Sequence, residues 1–266
     1  MIGAIIGDIA GSRFEFSNTK TDKFKLLARE CDFTDDTICT VAVADAIMHG
    51  RKFDEALRDW GWRYPHPKGG YGWSFGRWLK DRNAGPYWSW GNGAAMRVSA
   101  IPYLCESWDD VVSRANESAM VSHNHPEGIK GAVVTAGGGW IILDNMFALG
   151  DRTPGLVSNA KKAFADWVGS HYDVPEYRPF SNLFKETCMN AVPVAASCLL
   201  ASTSFDDAIY KAILVGGDSD TIAAITGGWA EALYGVPVGL AGMAKKYLPG
   251  DILGIVDEFY RKVFAR

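Results

Sequence analysis

The sequence has no uninterrupted apolar segment of the ~20 residues that a membrane span needs, and a membrane protein is not expected. Its first ten residues, Met1 to Ala10, are apolar but carry Asp8 and lack a basic start, so they do not read as a secretory leader. No run alternates apolar and polar residues for long enough to make a half-buried strand. There is no basic tract, and the net charge is −4, which argues against a nucleic-acid groove. Cysteine is sparse: Cys31, Cys39, Cys105, Cys188 and Cys198 are scattered and form no CxxC pair. They read as reduced core thiols of a cytoplasmic protein, not as a zinc site or a disulfide framework. Internal repeats and low-complexity segments are absent.

What remains is a chain of 266 residues, 48% hydrophobic and 22% charged. That is ordinary globular composition with enough apolar material for a sizeable core. Apolar residues recur at helical spacing in Ile38 to Met48, Arg51 to Arg63, Trp108 to Met120, Glu127 to Leu143, Thr153 to Ser170, Leu183 to Leu200, Phe205 to Leu214, Thr221 to Tyr234 and Asp251 to Phe264. Gly235 and Pro237 give a normal helix stop, and Pro193 offers a kink. The irregular stretch His171 to Asn182 is the hinge or lid candidate. The expected fold is all-α: a single compact orthogonal helical bundle over residues 1–266 with a metal-lined cleft. Nothing demands an obligate partner, so a monomer is expected.

Gly3, Gly7 and Gly11 recur every four residues and share one helical face. Each glycine costs a helix about 1 kcal/mol against alanine, and a close approach of another backbone or a ligand explains the pattern. Two clusters then stand out. Val215-Gly216-Gly217-Asp218-Ser219-Asp220-Thr221 puts two carboxylates and a hydroxyl behind a glycine pair, before a run of small apolar residues. Thr34-Asp35-Asp36-Thr37 precedes a similar run near the other end. Either cluster alone reads as a helix cap, Thr34 or Asp35 for the second. Together they suggest a shared cation site: hard oxygen ligands suit Mg²⁺ or Mn²⁺, and two metals about 4 Å apart are a standard hydrolytic arrangement. A phosphohydrolase using Asp-x-Asp-x-Thr fits poorly, since the threonine comes one place early and the alternating strands are missing.

Other stretches are individually weaker. Glu15 is a lone carboxylate among aromatics. Trp60 to Trp90 holds six of the ten tryptophans, as core or as the wall of a pocket for a flat ring. Ser89-Trp90-Gly91-Asn92-Gly93 leads into a helix, and its glycines would leave backbone N–H groups for an anion such as phosphate. His123 and His125, in Ser122-His123-Asn124-His125-Pro126, read as hydrogen-bonding loop histidines more readily than as ligands.

Five motifs in order resemble the ADP-ribosylglycohydrolase family over nearly the whole chain: Gly7-Asp8 through Glu15; Thr34 to Thr37; Gly91-Asn92-Gly93-Ala94-Ala95-Met96-Arg97; Ser122-His123 with Gly131-Ala132; and Gly216 to Thr221. The resemblance implies an all-α hydrolase holding two divalent cations, Mg²⁺ or Mn²⁺, on Thr34, Asp35, Asp36, Asp218, Asp220 and Thr221. It implies that Ser89, Trp90, Gly91, Asn92, Gly93 and His123 contact ADP-ribose, with Trp90 near adenine. The implied reaction releases ADP-ribose from a modified protein or small conjugate by cleavage at C1″ of the distal ribose. Glu15, Asp35 and Asp36 are then the catalytic candidates, with proton transfer open between Glu15 and Asp36. Family members that only bind ADP-ribose leave a non-catalytic role as the alternative. The acceptor, arginine, serine or another group, stays open.

Overall fold

The computed structural model describes residues 1–147 and 152–265. Its elements are α1 (Ile2–Gly11), α2 (Asp35–His49), α3 (Phe53–Arg63), α4 (Trp73–Lys80), α5 (Gly93–Met96), α6 (Ile101–Leu104), α7 (Trp108–Met120) and α8 (Pro126–Phe147). They continue as α9 (Pro154–Gly169), α10 (Cys188–Ala201), α11 (Phe205–Leu214), α12 (Ser219–Tyr234), α13 (Val238–Ala244), a 3-10 turn (Lys245–Tyr247) and α14 (Gly250–Phe264). No β-strand occurs among the described residues; an isolated bridge joins Gly91 and Thr187. The all-helical expectation holds.

The helices start where short polar side chains satisfy the first free N–H groups. Ser107 accepts from the Asp110 N–H before α7, and Ser204 from the Asp207 N–H before α11. Each is followed by two aspartates in the first turn, where the helix dipole favours negative charge. Two boundaries differ from the sequence reading. Residues Leu183 to Thr187 are not helical, because α10 begins only at Cys188; backbone bonds to the Trp90–Asn92 stretch hold that approach extended. The short α4 lies inside the tryptophan-rich segment, whose glycines and prolines hide its period. Pro193 sits inside α10, which runs on to Ala201.

All ten residues of α1 are buried, as is every residue of α12 except Tyr234. The glycine face explains how they meet. A Cβ at Gly7 would lie 1.9 Å from the carbonyl oxygen of Ala223, and one at Gly3 would lie 2.3 Å from that of Gly227. At Gly11 it would lie 2.5 Å from the Cα of Asp220. The two backbones therefore touch, which only glycine permits. One cluster of buried apolar residues surrounds this crossing, from Met1 to Phe259. The five cysteines are free and buried, as the composition suggested. No helix among the described residues is long and apolar enough to cross a membrane.

Candidate active site

The α1–α12 crossing carries Asp8 to the start of α2. The Asp8 carboxylate accepts from the Thr34 N–H (3.0 Å), the Thr34 hydroxyl (2.7 Å), the Thr37 N–H (3.1 Å) and the Thr37 hydroxyl. An anion at a helix N-terminus is favoured by the open N–H groups and the dipole together. Thr34 also caps α2 by accepting from the Asp36 N–H at 3.2 Å. The capping reading thus holds for Thr34, whose hydroxyl is turned to Asp8 and away from the cavity described below.

It holds only in part for the aspartates: Asp220 Oδ1 accepts from the Thr221 N–H in the first turn of α12 (3.0 Å). Asp218 precedes α12 but makes no side-chain cap; its Oδ2 accepts from the Asn92 amide at 2.7 Å. Asp36 accepts at Oδ2 from the Thr221 hydroxyl (3.1 Å), while its Oδ1 is buried with no hydrogen-bond partner. Glu15 likewise has a buried, unpartnered Oε2. Gly216 and Gly217, with φ of 85° and 86°, set the turn that delivers Asp218. Asn18 clamps it, accepting from the Gly217 N–H (2.8 Å) and donating to the Gly217 carbonyl (2.8 Å).

These groups share a cavity of about 480 Å³ lined by Glu15, Asp35, Asp36, Asp218, Asp220 and Thr221. Ser89, Gly91, Asn92, Gly93 and His123 line the same cavity, with Asn92 bonded to Asp218. Of the residues that the resemblance assigns to the site, Thr34 and Trp90 do not line it. Trp90 is about half exposed and packs edge-on against His125, with Trp88 on the same ring. The Nδ1 of His125 accepts from the Glu127 N–H at 3.1 Å, the loop role expected of it.

The glycine loop departs from expectation in one respect. The Gly91 N–H donates to Ser89 Oγ (3.0 Å) and the Asn92 N–H to the Glu186 carbonyl (3.1 Å). Neither is left open for an anion, and α5 has only four residues. The same pairing brings Glu186 into the cavity wall. Nothing in the irregular stretch before α10 signalled that, because the contact depends on a long-range bridge. Asp8 was read only as part of a motif. The aromatic segment is both things it was expected to be. Trp60 and Trp78 are core, whereas Tyr71, Trp73, Phe75 and Tyr87 line the cavity. Gly69, at φ 77°, passes so close to Glu15 that a Cβ there would lie 2.5 Å from Oε2.

The acidic cluster is poorly compensated. Burial, reinforced by neighbouring carboxylates, pushes Asp35, Asp36 and Asp220 well above the usual carboxylate range. Burial also raises Asp218. Glu15 is raised to about 7, by burial first and then by Asp218, Asp8 and Glu186. Asp8 reaches about 6 through burial, against the opposing pull of its threonine hydrogen bonds. Two triads have ligand atoms within 4.8 Å of one another: Asp8, Asp36 and Asp220, and Glu15, Asp218 and Asp220. Hard oxygens, crowded negative charge and two unpartnered buried carboxylate oxygens are a donor set that fits Mg²⁺ or Mn²⁺.

A family model described as ADP-ribosylglycohydrolase matches residues 1–263. The chain belongs to that family. Among its relatives, ADP-ribosylhydrolase ARH3 of Homo sapiens is 26% identical over 330 residues, covering 95% of this chain and 90% of that protein. The Danio rerio ARH3 is 26% identical over 304 residues, covering 89% and 82%. An uncharacterized Archaeoglobus fulgidus protein is 29% identical over 219 residues, covering 74% and 70%. A solved structure titled "ADP-ribosylglycohydrolase-related protein complex" superposes with a TM-score of 0.67 at 21% identity, covering 98% of this chain and 96% of that one. At that identity the likeness speaks for the fold alone. The helical fold is that of the ADP-ribosylglycohydrolases.

Proposed function

We propose that this ADP-ribosylglycohydrolase is a divalent-metal-dependent enzyme that cleaves the bond at C1″ of the distal ribose, releasing ADP-ribose from a modified protein or small conjugate. The observation that carries the reading is the convergence of Glu15, Asp35, Asp36, Asp218, Asp220 and Thr221 in one cavity with Gly91 to Gly93 and His123. Asp35, Asp36, Asp218, Asp220 and Thr221 would hold two Mg²⁺ or Mn²⁺ ions. Thr34 would support them through the N-terminus of α2; its hydroxyl donates to Asp8 and accepts from the Asp36 N–H, which leaves one lone pair for a cation. Bound cations would offset the carboxylate repulsion and stabilise charge developing at the glycosidic centre.

The protein's own groups divide the remaining work. Gly91, Asn92, Gly93 and His123 border the phosphates and distal ribose, with Ser89 shaping their turn. Trp90 would reach adenine only from the outer rim, beside Trp88 and His125. Glu15 is the better placed proton-transfer group. Its Oε2 has no partner, which leaves that oxygen open to take or give a proton. Asp36 already accepts from Thr221 and shares a triad with Asp8 and Asp220. Tyr71, Trp73 and Phe75 flank the acceptor side.

The deciding experiment is calorimetric titration of ADP-ribose with excess Mg²⁺ and again with EDTA, followed by assay of ADP-ribose release from modified protein. Metal-dependent binding with release is expected. Binding without turnover on any ADP-ribosylated protein or ester would leave a non-catalytic ADP-ribose binder. Hydrolysis of a simple phosphomonoester without ADP-ribose binding would move the chain to another reaction class.

A further inference from the structure

Arg97 closes α5 with 1% of its surface exposed, yet no carboxylate pairs with it among the described residues. Its charged surroundings are limited to the ionisable but neutral Cys39, Tyr87 and Cys188. A buried guanidinium is costly unless hydrogen bonds satisfy it, and here serine supplies them. Nε donates to Ser118 Oγ at 3.3 Å, and Nη2 donates to the Ser118 carbonyl and to Ser122 Oγ at 3.0 Å. Ser122, fully buried, places the same Oγ 2.8 Å from His123 Nδ1. The chain Arg97–Ser122–His123 ends in the cavity. There the His123 Nε2 lies 3.0 Å from where a Cβ of Gly93 would be and 3.4 Å from that of Gly91. A side chain at Gly93 would crowd this nitrogen.

We propose that Arg97 and Ser122 are positioning residues that fix His123 in its Nε2–H tautomer, so that the imidazole donates into the cavity to a ligand oxygen. The direction follows from what each group can do. A guanidinium only donates, so Ser122 Oγ accepts from Arg97. The serine proton then needs an acceptor, and Nδ1 is 2.8 Å away. The Tyr87 hydroxyl also interacts with Ser122, but no hydrogen bond of acceptable distance and angle forms there, whereas the contact with Nδ1 meets both. Nδ1 is therefore the bare nitrogen, and the single proton of the neutral ring sits on Nε2. Burial and the nearby Arg97 charge both hold the ring well below its ordinary pKa, which keeps it neutral. The arrangement gives the acidic cavity a neutral donor backed by a buried cation.

That the accepting oxygen belongs to ADP-ribose rests on the function proposed above; the tautomer does not. Two-bond ¹⁵N–¹H correlation spectra of histidine-labelled protein, without ligand, read it directly. His123 is expected as Nε2–H from pH 6 to 8, with no protonation step. In Ser122→Ala the Nδ1–H form should appear, and ADP-ribose affinity with Mg²⁺ should weaken about three- to tenfold, the worth of one hydrogen bond. A wild-type Nδ1–H ring, an imidazolium at pH 7, or a Ser122→Ala protein with tautomer and affinity unchanged would overturn the proposal. If the tautomer follows Ser122 but ADP-ribose never binds, the positioning role stands and the functional reading falls.

Discussion

At the α1–α12 crossing backbone rests on backbone, carboxylates converge, and a single added methyl has nowhere to go. Elsewhere on the cavity lining, Gly70 and Gly72 would meet nothing within 4 Å, and Trp73 and Phe16 are about three-quarters exposed. One wall is rigid because its chemistry depends on charges held closer together than they would choose. The other is loose because it consists of loops and a short helix, whose side chains face whatever arrives. A wall of the first kind suits a fixed reacting centre, and one of the second kind suits selection among acceptors. Changes to the inner wall should therefore be severe, and the same changes outside should be mild.

The largest effect is expected at the acidic cluster. Asp218→Ala or Asp35→Ala should reduce ADP-ribose release with Mg²⁺ by about a thousandfold or more, since several kcal/mol of charge stabilisation depends on the ligand set. The fold should survive, because removing one carboxylate relieves repulsion in the metal-free protein. Rates near wild type in either variant, measured beside a denaturation curve, would break the assignment. Next comes Gly7→Ala, whose methyl would stand 1.9 Å from the Ala223 carbonyl oxygen. Overpacking against backbone should cost about 3 kcal/mol or more, read as a lower urea midpoint at unchanged slope. Because Asp8 and Asp220 ride on these helices, metal affinity should fall with stability.

A smaller effect concerns pH. Glu15 and Asp8 sit at about 7 and about 6 in the folded chain, above ordinary values of 4.5 and 3.8. The folded state then holds protons that the unfolded chain has already released. Their contribution to stability is complete below the unfolded values and is lost as pH rises through about 6 to 7. Cations compete with those protons. Saturating Mg²⁺ should therefore raise Tm by several degrees more at pH 8 than at pH 5. Equal gains at both pH values in scanning calorimetry would mean that these carboxylates are not beside the metal.

The same contrast governs what could be read before the structure. The four-residue glycine period in α1 and the paired Thr/Asp clusters were legible because helix geometry repeats locally and ligand chemistry demands particular residue types. Asp8 was not singled out as a partner: one carboxylate in an apolar run gives no local sign that four hydrogen bonds from Thr34 and Thr37 await it. Glu186 was invisible for a different reason, since only the long-range pairing of Gly91 with Thr187 brings it to the cavity. Trp90 and Thr34 show the opposite case. The resemblance assigns both to the site, yet the Trp90 ring lies half-exposed against His125 and Thr34 is held by Asp8. The aromatic segment could not be divided into core and wall, because Trp60 and Trp73 differ in what packs on them and not in local sequence.

The sharpest test of the comparison is the mildest substitution. Gly76 lies in the middle of α4, its N–H bonded to the Gly72 carbonyl at 2.9 Å. An added Cβ would meet only the Tyr71 Cβ, at 3.7 Å, an ordinary contact. Gly76→Ala therefore removes backbone freedom from the unfolded chain and asks nothing of the folded one. Stability should rise by about 0.4–1 kcal/mol, with metal-dependent ADP-ribose binding unchanged. The substitution is chemically identical to Gly7→Ala, so the opposite sign isolates what surrounds the glycine as the cause. If Gly76→Ala instead destabilises, the outer wall is packed more tightly than its exposure implies. A stable Gly76→Ala that loses ADP-ribose would make α4 part of the nucleotide pocket, not the acceptor side.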